Sequence, residues 1–364
     1  MRTPDESRAL VDQIAASTDP IGLDCEGVRL GRFGRLSLLQ MCIGMNPKKF
    51  VLVDGTKTGA IEALEPLLAS NEKLKIMHDC REDSAALFHQ CGIRLRGVID
   101  TQVAHLLLQR ERKEQLHQEG YSDLCKKFLG TNSDTNTIEM KERMLDDPFL
   151  WHKRPLSKEL VRYALDGVDY LVPLWYRLQE QLRAVEVKEE KLLEASEKWS
   201  EYSQLNTEFG KADEIWKLGT PLLGMVASIN DKGVYFKLNL GITGVCSTPS
   251  ALKRMLGKTG GFHAVEVGDT VELAVSGVSL DGKIVYVDRR DPDWEYFDFF
   301  RRPSPAKRDT ISQEYRHSPS LIENSGIDPL LRRGLGHDGD IDSDDEDTVD
   351  HEPILTHKPR TREK

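Results

Sequence analysis

The 364-residue sequence predicts an α/β sheet with helices on its faces, then a small all-β barrel and a disordered tail. Three observations carry this. Over residues 1–180, short apolar β-rich runs alternate with segments of helical spacing. From Thr220, five β-type runs separated by glycines fall within about 65 residues. After Asp291, Arg, Pro, Ser, Asp and Glu dominate and apolar residues are few, a composition that cannot bury enough surface to fold.

In order along the chain, Ile21–Cys25, Arg35–Ile43 and Phe50–Asp54 read as strands. Ile61, Leu64 and Leu67/Leu68 have helical spacing over 61–69. Leu74–Met77 is a short strand, followed by a helix opened by Asp79 that runs through Gln90. Val98–Ile99 is another short strand, with Asp100 placed as the N-cap of a helix over 103–109. Residues 110–180 read as mostly helical, with Pro155 suited to a first helical position and Ser157 to an N-cap. The charged segment 186–217 reads as a connecting helix. Barrel strands are expected at 223–229, 233–238, 242–246, 270–275 and 283–287.

Composition narrows the function. No apolar run approaches the roughly 20 residues of a membrane span. Residues 1–17 carry Asp5, Glu6 and Asp12 and no apolar core, unlike a secretory signal or transit peptide. The six cysteines form no C-x-x-C pair, which suits free thiols in a reducing, intracellular compartment, cytoplasmic or nuclear. Nine acids within 338–352 supply nearly all of the net charge of −10, so the remainder is close to neutral and its basic clusters can bind anions.

The most informative stretch is I-G-L-D-C-E-G-V, residues 21–28. On a strand, Asp24 and Glu26 point to the same face. Two such carboxylates repel and are costly to desolvate, a conflict that a hard divalent cation removes. The same pair also suits an edge strand with two solvated acids. Asp79, Glu82 and Asp83 cover nearly a helical turn, so one of them must face the sheet end; an acidic first turn also suits the helix dipole. Tyr163 and Asp166 lie three apart and share a helix face. His78 reads as a strand-end residue bonded locally, and Cys25, Cys80 and Cys91 as small packing residues.

Taken together, L-D-C-E-G-V (23–28), G-R-L-S-L-L-Q (34–40), H-D-C-R-E-D-S-A-A-L (78–87), V-I-D-T-Q-V-A (98–104) and D-P-F-L-W-H-K-R-P-L-S (147–157) resemble the DEDD-type, ribonuclease D-like 3′–5′ exonuclease superfamily. The closer likeness is to its Egalitarian-like, 3′–5′ exonuclease domain-containing protein 1 group. It covers about residues 5–185, and its specificity lies in the order and spacing of five pieces. The resemblance implies a ribonuclease H-like domain with a mixed sheet flanked by helices. It implies Asp24, Glu26 and Asp83 as metal-binding acids, Tyr163 as the residue orienting the attacking water, and two ions, Mg²⁺ or Mn²⁺. The family's third motif places its last acid four residues after the Tyr; here that position is Gly167, and Asp166 stands one residue early. A one-residue step rotates a helical side chain by about 100°. Asp166 is thus expected either to complete the site with looser geometry or to leave an RNA-binding adaptor with little catalysis.

Residues 220–290 resemble an S1-type OB barrel in G-x-V (224–226), G-V-Y-F (233–236), G-x-x-G (241–244) and V-G-D (267–269). Such barrels bind single strands by stacking bases on aromatics beside a basic rim. Tyr235 or Phe236, with Phe262 and His263, are expected stacking residues; only one of the adjacent pair should face outward. Lys237, Lys253 and Arg254, with Lys232 and Lys258, are expected phosphate contacts. The aromatic cluster 294–300 either docks on the barrel or recruits a protein, and the acidic run 338–352 is a solvated tail or a competitor of nucleic acid. The expected organisation is an exonuclease domain over 1–185, a helical linker over 186–217, an S1-like barrel over 218–291 and a disordered acidic tail over 292–364. The expected activity is metal-dependent 3′–5′ degradation of a single strand, RNA before DNA because of the barrel, with a catalytically weak adaptor as the alternative.

Overall fold

The computed structural model describes residues 1–15, 17–131, 136–258 and 263–290. Two sheets organise them: an open five-stranded sheet and a closed five-stranded barrel.

The chain starts with helix α1 (Pro4–Ala15), whose Leu10 and Ile14 are buried. The open sheet follows as β1 (Ile21–Val28), β2 (Arg35–Ile43), β3 (Lys49–Asp54), the one-turn α2 (Glu65–Leu68), β4 (Lys75–Met77), α3 (Arg81–Cys91) and β5 (Val98–Asp100). The strand order is β3-β2-β1-β4-β5. β1–β2 and β2–β3 pair antiparallel, while β1–β4 and β4–β5 are parallel, so the sheet is mixed as expected. The parallel pairs need crossovers, and α3 supplies the one between β4 and β5. Leu23, Leu39, Met41, Val53, Ile76 and Ile99 are almost wholly buried in this sheet. Each such side chain contributes roughly 1.5–3 kcal/mol of burial.

Helices α4 (Thr101–Glu111), α5 (Tyr121–Leu129), α6 (Asn136–Asp146), α7 (Lys158–Asp169), α8 (Leu171–Ala184) and α9 (Glu189–Ser200) follow. Ser157 caps α7, its hydroxyl accepting from Leu160 N–H at 3.3 Å. Pro155 is not at the first helical position: it precedes Ser157, and the helix begins at Lys158. Asp100 caps α4, accepting from Gln102 N–H at 2.8 Å. α7 lies close against β1 because Gly22 has no side chain; a Cβ there would stand 2.9 Å from the Val168 carbonyl oxygen. The segment after 186 is not one continuous helix: α9 ends at Ser200 and gives way to 3₁₀ turns at Glu201–Gln204 and Ala212–Ile215.

The barrel comprises β6 (Pro221–Asn230), β7 (Gly233–Lys237), β8 (Thr243–Cys246), helix α10 (Pro249–Met255), β9 (Thr270–Val278) and β10 (Ile284–Arg289). It closes in the order β10-β8-β7-β6-β9, with a parallel β10–β8 pair completing the ring. Phe236, Val226, Leu273 and Val285 fill its interior. Among the described residues, no helix is long and apolar enough to cross a membrane. The segment 291–364, with its aromatic cluster and acidic run, lies outside the described residues.

Candidate functional site

β1 alternates as its sequence dictates. Leu23 and Cys25 are buried, and Asp24 and Glu26 are partly exposed on the opposite face. Directly across the ladder from Asp24 is Gln40 on β2, which is fully buried. Its Nε2 donates to Asp24 Oδ2 at 2.7 Å, so the carboxylate is oriented by a side chain that cannot move without opening the core.

The next acid comes from α3. Of the three acids in that turn, Asp83 faces the sheet: it is 5 % exposed, and its Oδ1 accepts from Cys25 N–H, the amide between Asp24 and Glu26, at 3.0 Å. Burial pushes the Asp83 carboxyl well up, and the charges of Asp24, Asp79 and Glu26 push it further. Asp24, Glu26 and Asp83 therefore form one interacting acid group. Burial, then Asp83 and Asp24, also push up the Cys25 thiol, which marks it as an inert packing residue.

The last acid position is the one the sequence left open. On α7 the position facing β1 is Gly167, where a Cβ would stand 3.2 Å from Asp24 Oδ2 and 4.0 Å from Gln40 Nε2. Asp166 is exposed. Positions three and four after Tyr163, expected to share the face, are thus separated by α7's close seat on β1. Tyr163 packs against Trp151, with ring centroids 5.9 Å apart, in a small cluster with Leu38 and Leu160.

Donor chemistry and mutual repulsion fit Asp24, Glu26 and Asp83 to a hard divalent cation. The fourth position does not fit. Among the described residues, no three His, Cys, Asp or Glu side chains are grouped so as to hold a metal ion. Asp24 bonds Gln40, and Asp83 bonds the Cys25 amide.

The neighbouring polar residues are structural, as expected for His78 and Asp100. His78 bonds Thr101 Oγ1 through Nδ1 at 2.9 Å and the Glu119 carbonyl through Nε2 at 3.1 Å. Asp100 accepts from Asp79 N–H and Cys80 N–H as well as capping α4. Asp79 forms a buried pair with Arg81, whose guanidinium lies 3.9 Å above the Trp199 ring.

The barrel corrects several expectations. Tyr235 and Phe236, expected to divide between surface and core, are both buried, at 7 % and 0 % exposure. Helix α10 packs against β7 and β10, with Ala251 and Met255 in the same core as Phe236. Lys237 is no open phosphate contact: its side chain is 12 % exposed and its Nζ donates to Glu82 Oε1 at 2.9 Å. Arg254 is paired with Asp288. Lys253 and His263 are exposed, and Phe262 lies outside the described residues.

Sequence reasoning missed Gln40, Arg32 and the Glu82–Lys237 pair. Gln40 stands at the end of G-R-L-S-L-L-Q, inside an otherwise apolar strand, and a buried amide there signals a polar partner. Arg32 and Glu82 carry no local signal, because their partners lie 120 to 207 residues away in sequence.

Comparison with known proteins adds four findings. Residues 1–183 match a family model described as 3′–5′ exonuclease. A ribonuclease D of Xanthomonas oryzae is 32 % identical over 175 residues, 48 % of this chain and 44 % of the relative. The human piRNA biogenesis protein EXD1 is 27 % identical over 172 residues, 44 % of this chain and 32 % of the relative. The chain thus spans less than half the length of these curated relatives. Among solved structures, the ribonuclease D of Trypanosoma brucei has a TM-score of 0.48 at 23 % identity, covering 56 % of this chain and 71 % of that one.

Proposed function

Because this chain belongs to the 3′–5′ exonuclease family over residues 1–183, we propose that it removes nucleotides from the 3′ end of single-stranded RNA. The observation that carries this is the acid group: Asp83, 5 % exposed, is bonded to the amide between Asp24 and Glu26, so three carboxylates gather at one end of the sheet. A fold keeps such a group where a cation relieves it. Asp24, Glu26 and Asp83 are the residues that would hold Mg²⁺ or Mn²⁺. Bound there, divalent ions supply activation of water and stabilisation of the leaving oxygen, two ions in the family's mechanism. This chain's own contribution is to fix the carboxylates: Gln40 orients Asp24, and the Cys25 amide orients Asp83. Tyr163 stands at the family's water-orienting position.

RNA is the substrate favoured here, on two supports. Several relatives carry the printed name ribonuclease D. The sequence likeness of residues 220–290 to S1-type barrels, a single-strand-binding architecture, is the other, and the chain there forms a closed five-stranded barrel. With Tyr235, Phe236, Lys237 and Arg254 engaged, the exposed Lys253, Lys258 and His263 remain as its contacts. The domain division is an exonuclease unit over 1–185, a linker over 186–217 and the barrel over 218–291. Residues 292–364 are the segment proposed to engage protein partners.

A second reading has its own observation. Gly167 presents no carboxylate to Asp24, and Asp166 is exposed, which favours an adaptor that holds RNA with little turnover. Incubating the chain with 5′-labelled single-stranded RNA and Mg²⁺ or Mn²⁺ separates the two. Stepwise shortening from the 3′ end, lost in Asp24→Ala, is the outcome of the first reading. Tight binding without shortening is the outcome of the second, and neither binding nor shortening overturns both.

A further inference from the structure

The two chain segments that deliver the acids are both bound to the barrel side of the molecule. Glu82, next to Asp83 on α3, turns away from the acid group. Its Oε1 accepts from Lys237 Nζ on β7 at 2.9 Å and from the Tyr202 hydroxyl at 3.2 Å. The Tyr202 oxygen accepts in turn from Asn239 N–H at 2.9 Å, just beyond β7. Tyr202 is 3 % exposed and the Lys237 side chain 12 %, while the Glu82 side chain keeps 36 % exposure, so the pair is buried on the barrel side only. One residue before Glu82, the fully buried Arg81 stacks on Trp199, and the Trp199 indole borders Gly268 in the turn before β9. At the other segment, Arg32 in the β1–β2 turn donates to four carbonyl oxygens. These are Asn206 at 2.9 Å, Phe209 at 2.5 Å, Thr207 at 3.3 Å and Asn239 at 3.5 Å.

We propose that Lys237 is a positioning residue of the acid site: through Glu82 it fixes α3 against β1, so that the barrel braces the carboxylates. This rests on the proposed exonuclease reading for its catalytic consequence, but not for its structural one. Two donors on one carboxylate oxygen, one of them the buried Tyr202 hydroxyl, hold Glu82 in one geometry better than a single exposed ion pair would. Asp83 sits one residue from the held Glu82, and a misplacement of about 1 Å at a reacting centre costs on the order of 10²-fold in rate. The barrel wall carrying Lys237 therefore faces the exonuclease domain and not the nucleic acid.

The test uses the full chain as wild type, Lys237→Met, Lys237→Arg and Glu82→Gln. Two readouts are taken: amide hydrogen exchange of residues 84–91, with α8 as internal control, and the kcat and KM for shortening of a 5′-labelled single-stranded RNA with Mn²⁺. In Lys237→Met and Glu82→Gln, amides of α3 are expected to exchange at least about tenfold faster with α8 unchanged, since local opening tracks local contacts. kcat is expected to fall at least about tenfold with KM unchanged, and Lys237→Arg is expected to restore both. Unchanged exchange in α3 overturns the proposal. A raised KM with intact kcat also overturns it, since Lys237 would then contact RNA. If wild type shows no turnover, the exonuclease reading fails while the exchange result alone still decides for or against the brace.

Discussion

Replacing Gly167 with Asp puts a carboxylate where the fold presents none. The backbone direction is already correct: a Cβ at 167 stands 3.2 Å from Asp24 Oδ2 and 4.0 Å from Gln40 Nε2. Two carboxylates about 4 Å apart repel by about 4 kcal/mol at an effective dielectric of about 20. The partial exposure of Asp24 halves that to about 2 kcal/mol. Removing a glycine from a helix interior returns up to about 0.5 kcal/mol, and the close Cβ contact takes a similar amount back. Without metal, Gly167→Asp is therefore expected to be less stable than wild type by about 2 kcal/mol. With Mn²⁺ the sign reverses, because an ion held by the extra acid stabilises the folded state by about 2.7 kcal/mol at 100-fold over its dissociation constant. Thermal unfolding in EDTA and in Mn²⁺ measures both arms, and the RNA-shortening rate should rise alongside. A variant as stable as wild type in EDTA, or one that gains no more from Mn²⁺ than wild type does, would refute the placement of Gly167 at the missing ligand position.

Three further outcomes follow from buried charges. Burial works against the Asp54 carboxylate, but bonds from Arg154 and Thr56 outweigh it and hold its pKa at about 2. The resulting stability, about 2 kcal/mol, is fully present above pH ~4 and is lost as pH falls toward 2. Urea unfolding of Asp54→Asn should lack that loss. Lys75 is fully buried, donating to the Leu67 and Ser70 carbonyls, and burial with the nearby Lys73 lowers its pKa to about 7. The unfolded chain holds this proton up to pH ~10.4, so stability rises with pH between about 7 and 10, by at most about 1.4 kcal/mol per unit, and Lys75→Met should flatten the rise. Arg32→Ala leaves four carbonyls without their donor and should lower stability by about 2–3 kcal/mol in denaturant unfolding, whereas Arg8→Ala, at an exposed ion pair, should change it by less than about 1.

Much of the fold was legible because its signals are local. Alternation at Leu23–Glu26 and the apolar runs at 35–43 and 50–54 need only neighbouring residues to read, and the strands formed there. The barrel runs were equally plain, since short β-rich segments between glycines have few other uses. Asp100 and Ser157 cap helices as their positions suggest. What the sequence hid is long-range. Whether Asp166 or Gly167 faces Asp24 depends on the rotation of α7, which is set by its close approach to β1 at Gly22. Tyr235 and Phe236 alternate on one strand, yet both are buried, and the burial of the outward-facing one depends on packing that no local pattern encodes. Lys237 resembles a surface lysine until the fold brings Glu82 to it.

Asp24, Glu26 and Asp83 are expected to bind a divalent ion together. Titrating Mn²⁺ into the full chain while following the free-ion paramagnetic resonance signal measures this directly. Saturable binding that is lost in Asp24→Ala and in Asp83→Asn, with both variants folded, is the predicted result. No saturable binding, or binding that persists unchanged in Asp24→Ala, would contradict it.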